Sequence, residues 1–309
     1  MKRTTLLVAC LALVVAACGE SASTAPTTAG ASPSATTPSS TTTLPSDPDL
    51  RYVAFGTVLD KAGVGPHLCT AVADSLPPQC SGLPIVGLDW NDVPWAEQAG
   101  DTTWATARVA GTFDGTALVL TEPPAQDDPD RVPYQPPDVT SPCPEPDGGW
   151  VVTDATTATD EAFEQARRYA GDQPGFAGLW VDNLDDSPDE STYGPASYVA
   201  NFSFIGDLDL HRAALSDIYG GPLCVSEGVR PLAELSELQD EVFDAIFTPA
   251  AKDAGIHAGF GASGSSNQFT GRIEVSVMAV TGDAAQAWLD VQFGPGTVAL
   301  TSFLRPATR

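Results

Sequence analysis

The spacing of apolar positions changes near residue 150, and this change predicts two parts with different secondary structure. Between residues 49 and 122, apolar and polar residues alternate over short runs, which is typical of half-buried strands. Four such runs predict strands: Tyr52 to Leu59, Pro84 to Leu88, Trp104 to Ala110 and Ala117 to Thr121. The segment Gly111 to Gly115 contains an Asp-Gly pair and predicts a hairpin between the last two. We expect a small barrel or sandwich of about five strands, similar to an OB fold.

From residue 150 to residue 309 the apolar period is that of helices, interspersed with further strands. Helices are predicted where one face is apolar and a glycine or proline marks an end: Asp160 to Ala170, Asp209 to Tyr219, Pro231 to Phe247 and Asp283 to Phe293. Strands are predicted at Trp150 to Thr153, Gly178 to Asp182, Tyr198 to Ile205, Arg272 to Val280 and Val298 to Leu304. This order predicts an α+β layer with helices packed on a mainly antiparallel sheet.

A segment rich in proline and aspartate, residues 123–149, separates the two parts. Proline at this density prevents both helices and central strands. The segment therefore predicts an extended linker between a small β domain, residues 49–122, and an α+β domain, residues 150–309.

The beginning of the chain has the three regions of a secretory signal. Lys2 and Arg3 precede an apolar run from Leu6 to Ala17, which is too short to span a membrane. The sequence Val15-Ala16-Ala17-Cys18 resembles the lipobox of bacterial lipoproteins. This resemblance implies a signal peptide over residues 1–17, cleavage before Cys18 and lipidation of Cys18. The Ser/Thr/Pro-rich residues that follow, up to residue 48, predict a disordered tether that reaches roughly 30 Å.

Composition adds a strong acidic balance, with 40 Asp and Glu against 14 Lys and Arg and a net charge of −26. Such a chain repels nucleic acid, because phosphate binding relies on clustered basic residues. It also repels anionic lipid, so membrane contact is expected through the lipid anchor alone. We therefore expect a lipid-anchored protein on the extracytoplasmic face of the cell membrane, with an envelope protein or peptide as partner and no nucleic acid.

Four cysteines remain after Cys10 is cleaved off with the signal and Cys18 is lipidated. They are Cys69, Cys80, Cys143 and Cys224. An even number in an oxidising compartment indicates two disulfides, for which three pairings exist. Cys69 with Cys80 is the local pairing and closes a proline-containing loop, which leaves Cys143 with Cys224. No Cys-x-x-Cys motif and no histidine at ligand spacing support a zinc site, so no cofactor is expected.

A series of short motifs runs through the second region, at Gly175 to Asp182, Tyr198 to Ile205, Asp209 to Tyr219, Pro231 to Leu238, and Asn267 with Arg272 to Val275. In this order the motifs resemble the pro-domains of secreted actinobacterial serine proteases of the streptogrisin and alpha-lytic type. The acidic insert from Asn183 to Tyr193 departs from that pattern. The resemblance implies a module that holds another chain by surface complementarity. The whole chain also resembles actinobacterial lipoproteins of unassigned function.

Serine-hydrolase chemistry has no complete motif in the chain. The run Gly259 to Ser266 has Ser265 where a Gly-x-Ser-x-Gly motif needs glycine, and it predicts a flexible loop. His67, His211 and His257 are the candidate bases, and neither His67 nor His211 has the sequence context of a triad. A carboxylate-based hydrolase stays open, because the spacing of such acids is set by the fold.

An acidic run supplies candidate oxygen ligands for calcium, and five tryptophans are candidates for binding or packing. The calcium candidates are Asp182, Asp185, Asp186 and Asp189, without the spacing of an EF-hand, and the alternative is a solvated loop. Trp90, Trp95 and Trp104 are candidates for a sugar- or peptide-binding platform or for packing, whereas Trp180 and Trp288 are expected in the second core. The sequence therefore favours a non-enzymatic peptide- or protein-binding lipoprotein, with a secreted hydrolase and a calcium-stabilised envelope protein as alternatives.

Overall fold

The computed structural model describes residues 50–129, 133, 135–185 and 193–307. The predicted signal peptide, Cys18 and nearly all of the predicted tether lie outside these residues. The described residues all belong to one compact unit, Leu44–Arg309.

The first part of the chain forms a five-stranded barrel with one additional short strand. Its strands are β1 (Arg51–Lys61), β2 (Gly65–Cys69), β3 (Gly82–Val86), β4 (Glu97–Ala99), β5 (Thr102–Phe113) and β6 (Leu118–Leu120). The order β1-β2-β3-β6-β5 closes because β1 also pairs with β5 along its whole length. The β3–β6 pair is parallel, and the other pairs of this closed, barrel-like sheet are antiparallel.

All four strands predicted in this part are present, and β5 and β6 are paired as the predicted hairpin. Strands β2 and β4 were not predicted from the sequence. Strand β2 has the sequence Gly-Pro-His-Leu-Cys, whose glycine and proline disfavour strand structure, and β4 has only three residues. Both strands exist because their neighbours supply hydrogen-bonding partners.

The barrel closes tightly at Gly111 of β5. A Cβ atom at this position would lie 2.1 Å from the carbonyl oxygen of Val119 on the neighbouring strand. Only glycine fits there without moving the backbone of β5 or β6.

The second part consists of two successive units with the same α-β-β-α-β order. The first contains α1 (Asp160–Gly171), β7 (Phe176–Asn183), β8 (Tyr198–Phe204), α2 (Leu208–Ile218) and β9 (Leu223–Glu227). The second contains α3 (Leu232–Ile246), the short α4 (Pro249–Asp253), β10 (Ile256–Asn267), β11 (Arg272–Val280), α5 (Ala284–Phe293) and β12 (Val298–Pro306). In both units the first two strands are antiparallel and the third is parallel to the second.

The connections within the two units match as well. The turn from β8 to α2 is Ile205-Gly206-Asp207, and the turn from β11 to α5 is Thr281-Gly282-Asp283. Each glycine has a positive φ, 120° and 75° respectively, and each aspartate precedes the first residue of the helix. The common Gly-Asp turn indicates that the region contains an internal structural repeat.

The two units differ in what borders their third strand. Strand β12 pairs with β1 of the barrel, so the second unit and the barrel form one nine-stranded sheet. Strands β7, β8 and β9 form a separate three-stranded sheet. Met278 and Leu304 of the second unit pack in the same core as Tyr52 and Val109 of the barrel. The sheet thus crosses the predicted boundary at residues 123–149, and separate folding of residues 49–122 and 150–309 stays a prediction.

The four predicted helices of the second part are present, and so are four of its five predicted strands. Their sheets are mixed and not mainly antiparallel, because each unit has one antiparallel and one parallel strand pair. Trp150 to Thr153 is not a strand, although the Thr153 amide donates a hydrogen bond to the Gly220 carbonyl oxygen at 2.7 Å. The predicted loop Gly259 to Ser266 is wrong, because these residues lie in β10. Backbone pairing of Ala262 to Asn267 with β11 overrides the low strand propensity of glycine and serine.

Candidate functional site

The two predicted disulfides are present with the predicted pairing. Cys69 pairs with Cys80, and Cys143 pairs with Cys224. The first closes the loop between β2 and β3. The second attaches the proline-rich segment to β9, so this segment is held against the folded body at that point.

A cavity of about 470 Å³ lies on the wall of the barrel. The β1–β2 turn forms one side, and the loop closed by Cys69 and Cys80 forms another. Its lining combines apolar residues with groups of opposite charge: Leu59, Val64, Pro77 and Pro78, together with Lys61, His67 and Asp101. This volume is in the usual range of small-molecule and peptide sites.

His67 has a defined tautomer within this cavity. Its Nδ1 lies 2.7 Å from the carbonyl oxygen of Gly65. A carbonyl oxygen only accepts hydrogen bonds, so Nδ1 carries the proton when the ring is neutral. Nε2 is then left with a lone pair that can accept a hydrogen bond or a proton.

A second, smaller concavity lies under residues 138–143, which we call the strap. The strap crosses the face of the β7–β9 sheet that is turned away from α1 and α2. The Trp180 indole Nε1 donates to the Val139 carbonyl oxygen at 3.0 Å, and the Ser141 amide donates to the Asp182 carboxylate at 2.7 Å. Together with the Cys143–Cys224 disulfide, these contacts fix the strap at three points.

The sheet face beneath the strap is polar, whereas its other face is apolar. Trp180, Asn201 and Cys224 lie side by side on this face, and Ser203 lies beside Ser226 in the next row. The opposite face contributes Phe202, Phe204 and Val225 to a core with α1 and α2. This explains why every residue of β8 is buried, although the strand alternates between apolar and polar residues.

Four buried side-chain atoms of the described residues lack a hydrogen-bond partner. Three of the four lie in the strap or in the sheet beneath it: Ser141 Oγ, Asn201 Oδ1 and Ser226 Oγ. Ser226 lines a concavity of about 200 Å³ together with the strap residue Asp138 and the aromatic residues Trp180 and Phe269. A buried polar atom without a partner is uncommon and calls for an explanation.

The hairpin between β10 and β11 completes this concavity. The Gln268 side-chain amide accepts from the Leu179 N–H at 3.1 Å and donates to the Leu179 carbonyl oxygen at 3.2 Å. Asn267 Oδ1 accepts from the amides of Phe269 and Thr270, which fixes the turn. The hairpin tip is therefore attached to the outer edge of β7, next to Trp180.

The candidate calcium ligands are only partly within the described residues. The Asp182 carboxylate already accepts the Ser141 amide, and Asp185 is exposed at the end of the described segment. Asp186 and Asp189 lie outside the described residues. Among residues 50–129, 133, 135–185 and 193–307, no three His, Cys, Asp or Glu side chains gather where they could hold a metal ion.

The three histidines contact different parts of the fold. His67 lines the barrel cavity, and His211 is stacked on Phe204 with a centroid distance of 3.9 Å. His257 packs edge-on against Phe113 of the barrel, and its Nε2 lies 3.0 Å from Thr281 Oγ1. Burial, with a smaller contribution from Lys252, lowers the pKa of His257 below its ordinary value.

Of the two tryptophans that were predicted in the second core, Trp288 packs there and Trp180 does not. Trp90 and Trp95 are both anchored through their indole nitrogens, to the Asp60 carboxylate and the Thr106 carbonyl oxygen respectively. Trp288 packs against the core of the second unit as predicted. Trp180 does not belong to a core: it is half-buried on the polar sheet face, where its ring meets Phe269 at 5.0 Å.

Sequence reasoning missed both concavities as sites. The barrel cavity is lined from three separate segments of the barrel, which contribute Lys61, Pro77 and Asp101. The concavity under the strap is lined from three other segments, which contribute Asp138, Ser226 and Phe269. One signal was available for the second concavity: Cys143 lies near the end of the proline-rich run and can attach that run to the rest of the chain.

Comparison of the chain with protein-family models, curated proteins and solved structures found no match. The resemblances to lipoproteins and to protease pro-domains therefore stay predictions. None of the helices within the described ranges has the length and apolar character needed to cross a membrane.

Proposed function

We propose that this protein is a lipoprotein on the extracytoplasmic face of the cell membrane that binds a peptide, or a segment of an envelope protein, in the barrel cavity. The location rests on the signal-like residues before Cys18 and on the lipobox resemblance. The binding activity rests on one observation, the cavity of about 470 Å³ between the β1–β2 turn and the disulfide-closed loop.

The position of the cavity supports a binding role. OB barrels bind their ligands across the second and third strands and the adjoining loops. Here the cavity lies over His67 of β2 and Gly82 at the start of β3. The Cys69–Cys80 disulfide limits the motion of the loop that forms one wall. A site with restrained walls loses less conformational entropy when it binds.

The chemistry of the lining favours a peptide over nucleic acid. Lys61 and Asp101 supply one positive and one negative group, and Val64, Pro77 and Pro78 supply apolar surface. A peptide offers both charged termini and apolar side chains to such a lining. Nucleic acid would meet a single lysine on a chain whose net charge is −26.

The finer organisation of the fold is part of the same proposal. Residues 49–122 would provide the ligand cavity as a small β domain, and residues 150–309 would act as an α+β domain that supports it. The linker, residues 123–149, would connect them.

A photocrosslinking experiment tests the binding role in the native envelope. A photoreactive amino acid replaces Val64, which is 65% exposed in the cavity lining, in the full-length protein. The matched control replaces Val291, which is 81% exposed on α5. We expect a defined adduct from position 64 and none from position 291. Equal adducts from both positions, or none from either, would contradict the proposal.

A secreted hydrolase is the second candidate, because the same cavity contains a histidine with an available Nε2 and a carboxylate, Asp101. Turnover of a panel of generic esters and glycosides by the purified protein tests it. Activity that disappears in His67→Ala or Asp101→Asn, with unchanged melting temperature, would favour the hydrolase over the binding protein.

Lipidation of Cys18 has its own test. Cells that express the full chain are labelled with radioactive palmitate, and the protein is followed through membrane fractionation. We expect label and membrane association for the natural sequence and neither for Cys18→Ala. Label that persists in the variant would overturn the proposed anchor.

A further inference from the structure

The concavity under the strap has a composition that differs from that of the barrel cavity. Its volume is about 200 Å³, enough for one side chain or a small organic molecule. The two carboxylates of its lining are Asp138 and Glu227, and its described lining contains no lysine, arginine or histidine. Neither carboxylate forms a salt bridge with a described residue. The lining is thus negative without an internal counter-charge.

Asp138 is ionised at any ordinary pH. Its carboxylate accepts a hydrogen bond from the Thr140 amide at 3.0 Å. Hydrogen bonding by the Thr140 side chain and amide holds the pKa of Asp138 below its usual value. The strap therefore presents a fixed negative charge at the rim of the concavity.

Two aromatic rings form another part of the lining. Trp180 and Phe269 meet in an edge-to-face arrangement with centroids 5.0 Å apart and an interplanar angle of 71°. The hydrogen bond from Trp180 to Val139 and the Asn267-bonded turn below Phe269 hold both rings in place. Fixed aromatic faces attract cations through their quadrupoles, and tryptophan is the most effective.

Hydroxyl groups lie at the floor of the concavity. Ser226 Oγ is shielded from solvent and has no partner among the described residues. Ser203 is its neighbour across the β8–β9 pair and is only 4% exposed. Rotation of the Ser226 side chain toward the concavity would let a ligand N–H group supply the partner that this oxygen lacks.

We infer that this concavity is a binding site for an organic cation, an ammonium or guanidinium group on a stem the size of a lysine or arginine side chain. The carboxylates at the rim neutralise the charge, the aromatic rings contact the cation and its stem, and the serine oxygens accept its N–H groups. A neutral ligand of equal length lacks the attraction to these carboxylates and is therefore expected to bind more weakly. This site is separate from the barrel cavity, and it stands whether or not the proposed peptide binding does.

Calorimetry with small probes tests the inference on the protein from residue 19 onward with both disulfides formed. The probes are Nα-acetyl-lysine amide and Nα-acetyl-arginine amide, and Nα-acetyl-norleucine amide is the uncharged control of similar length. We expect saturable binding of the two cations, weakened by sodium chloride, and at least tenfold weaker binding of the norleucine probe. Equal binding of all three probes overturns the inference. The inference also fails if neither these probes nor the diamine putrescine bind.

The same ammonium group could belong to a peptide side chain or to a free diamine. Putrescine is therefore titrated as a separate arm. Tighter binding of the lysine amide indicates a peptide side chain as the natural ligand. Tighter binding of putrescine indicates a free amine, and either result supports the cation site.

Matched variants locate the binding. Glu227→Gln removes a carboxylate of the rim, and Ser226→Ala removes the unpartnered hydroxyl. Glu97→Gln makes the same charge change on β4 of the barrel, outside the lining. We expect at least fivefold weaker lysine-amide binding for the first two and a change below twofold for Glu97→Gln, all with unchanged melting temperatures. If Glu97→Gln weakens binding as much as Glu227→Gln does, the attraction is a general effect of the acidic surface and the inference fails.

Discussion

The indole nitrogen of Trp180 donates a hydrogen bond to the carbonyl oxygen of Val139 across 3.0 Å, and this bond joins β7 to the strap. Trp180→Phe keeps an aromatic ring beside Phe269, removes the N–H donor and makes the ring system smaller. We expect a loss of about 1 kcal/mol in the free energy of unfolding by urea. We also expect faster hydrogen exchange of the Ser141 amide, because the strap loses one of its attachments.

Trp95→Phe is the control for this change. Its indole donates an equivalent bond to the Thr106 carbonyl oxygen at 3.1 Å, far along the chain from the strap. The control should lose a similar free energy and leave the exchange of the Ser141 amide unchanged. Equal exchange in both variants would show that Trp180 does not hold the strap.

The two disulfides should contribute unequally to stability. Cys143 and Cys224 are 81 residues apart in sequence, whereas Cys69 and Cys80 are 11 apart. In the chain-entropy description, a longer loop restrains the unfolded state more. The double variant Cys143→Ser/Cys224→Ser should lose about 4–5 kcal/mol, and Cys69→Ser/Cys80→Ser about 3 kcal/mol. Urea unfolding of the two variants measures this, and a reversed order would show that local packing dominates.

A methyl group at position 111 should open the barrel. In Gly111→Ala the new Cβ would meet the Val119 carbonyl oxygen at 2.1 Å, so the β5–β6 pair must separate. We expect a loss of at least about 2 kcal/mol, as for other overpacked positions. In Gly171→Ala, at the end of α1, the new Cβ has no other atom within 4 Å, and a gain of up to about 1 kcal/mol is expected. Equal melting temperatures for the two variants would contradict the close approach at Gly111.

His257 should make stability depend on pH in a defined window. Its pKa in the folded protein lies below the ordinary value of 6.5, so the unfolded chain binds the proton first as pH falls. Stability is therefore complete above pH 6.5 and decreases as the pH falls below this value toward the folded pKa. We expect the melting temperature to fall between pH 7.5 and 5.5, and to fall less in His257→Gln. Identical pH profiles would remove His257 as the cause.

Local features of the fold could be predicted from the sequence, and pairing between distant segments could not. The apolar alternation of Arg272 to Val280 predicts β11 with its observed bounds, because that strand has one apolar face. The glycine- and serine-rich strand β10 has no such pattern in residues 263–267, and its structure comes from the neighbouring strand. Cysteine parity predicted two disulfides, and the short separation of Cys69 and Cys80 favoured the observed pairing among the three that are possible.

The concavity under the strap also depends on pairing between distant segments. Trp180 was expected in a core, because a tryptophan in a strand is usually buried. It lies instead on the polar face with Asn201, and only the pairing of β7 with β8 reveals which face that is. No spacing in the sequence indicates that Glu227 and Phe269 line one concavity, because the end of β9 and the tip of a later hairpin bring them together.

The bond from the Ala307 amide to the Arg51 carbonyl oxygen, 2.8 Å long, places the two ends of the described body beside each other. A fluorophore attached at residue 307 would therefore report on the surroundings of residue 51, where the described chain enters the body. A short linker from residue 307 back to residue 50 should also permit circular permutation, with new ends cut at the Gly148–Gly149 turn. The permuted protein would present the strap and its pocket at a free chain end, which makes this region open to display and selection methods.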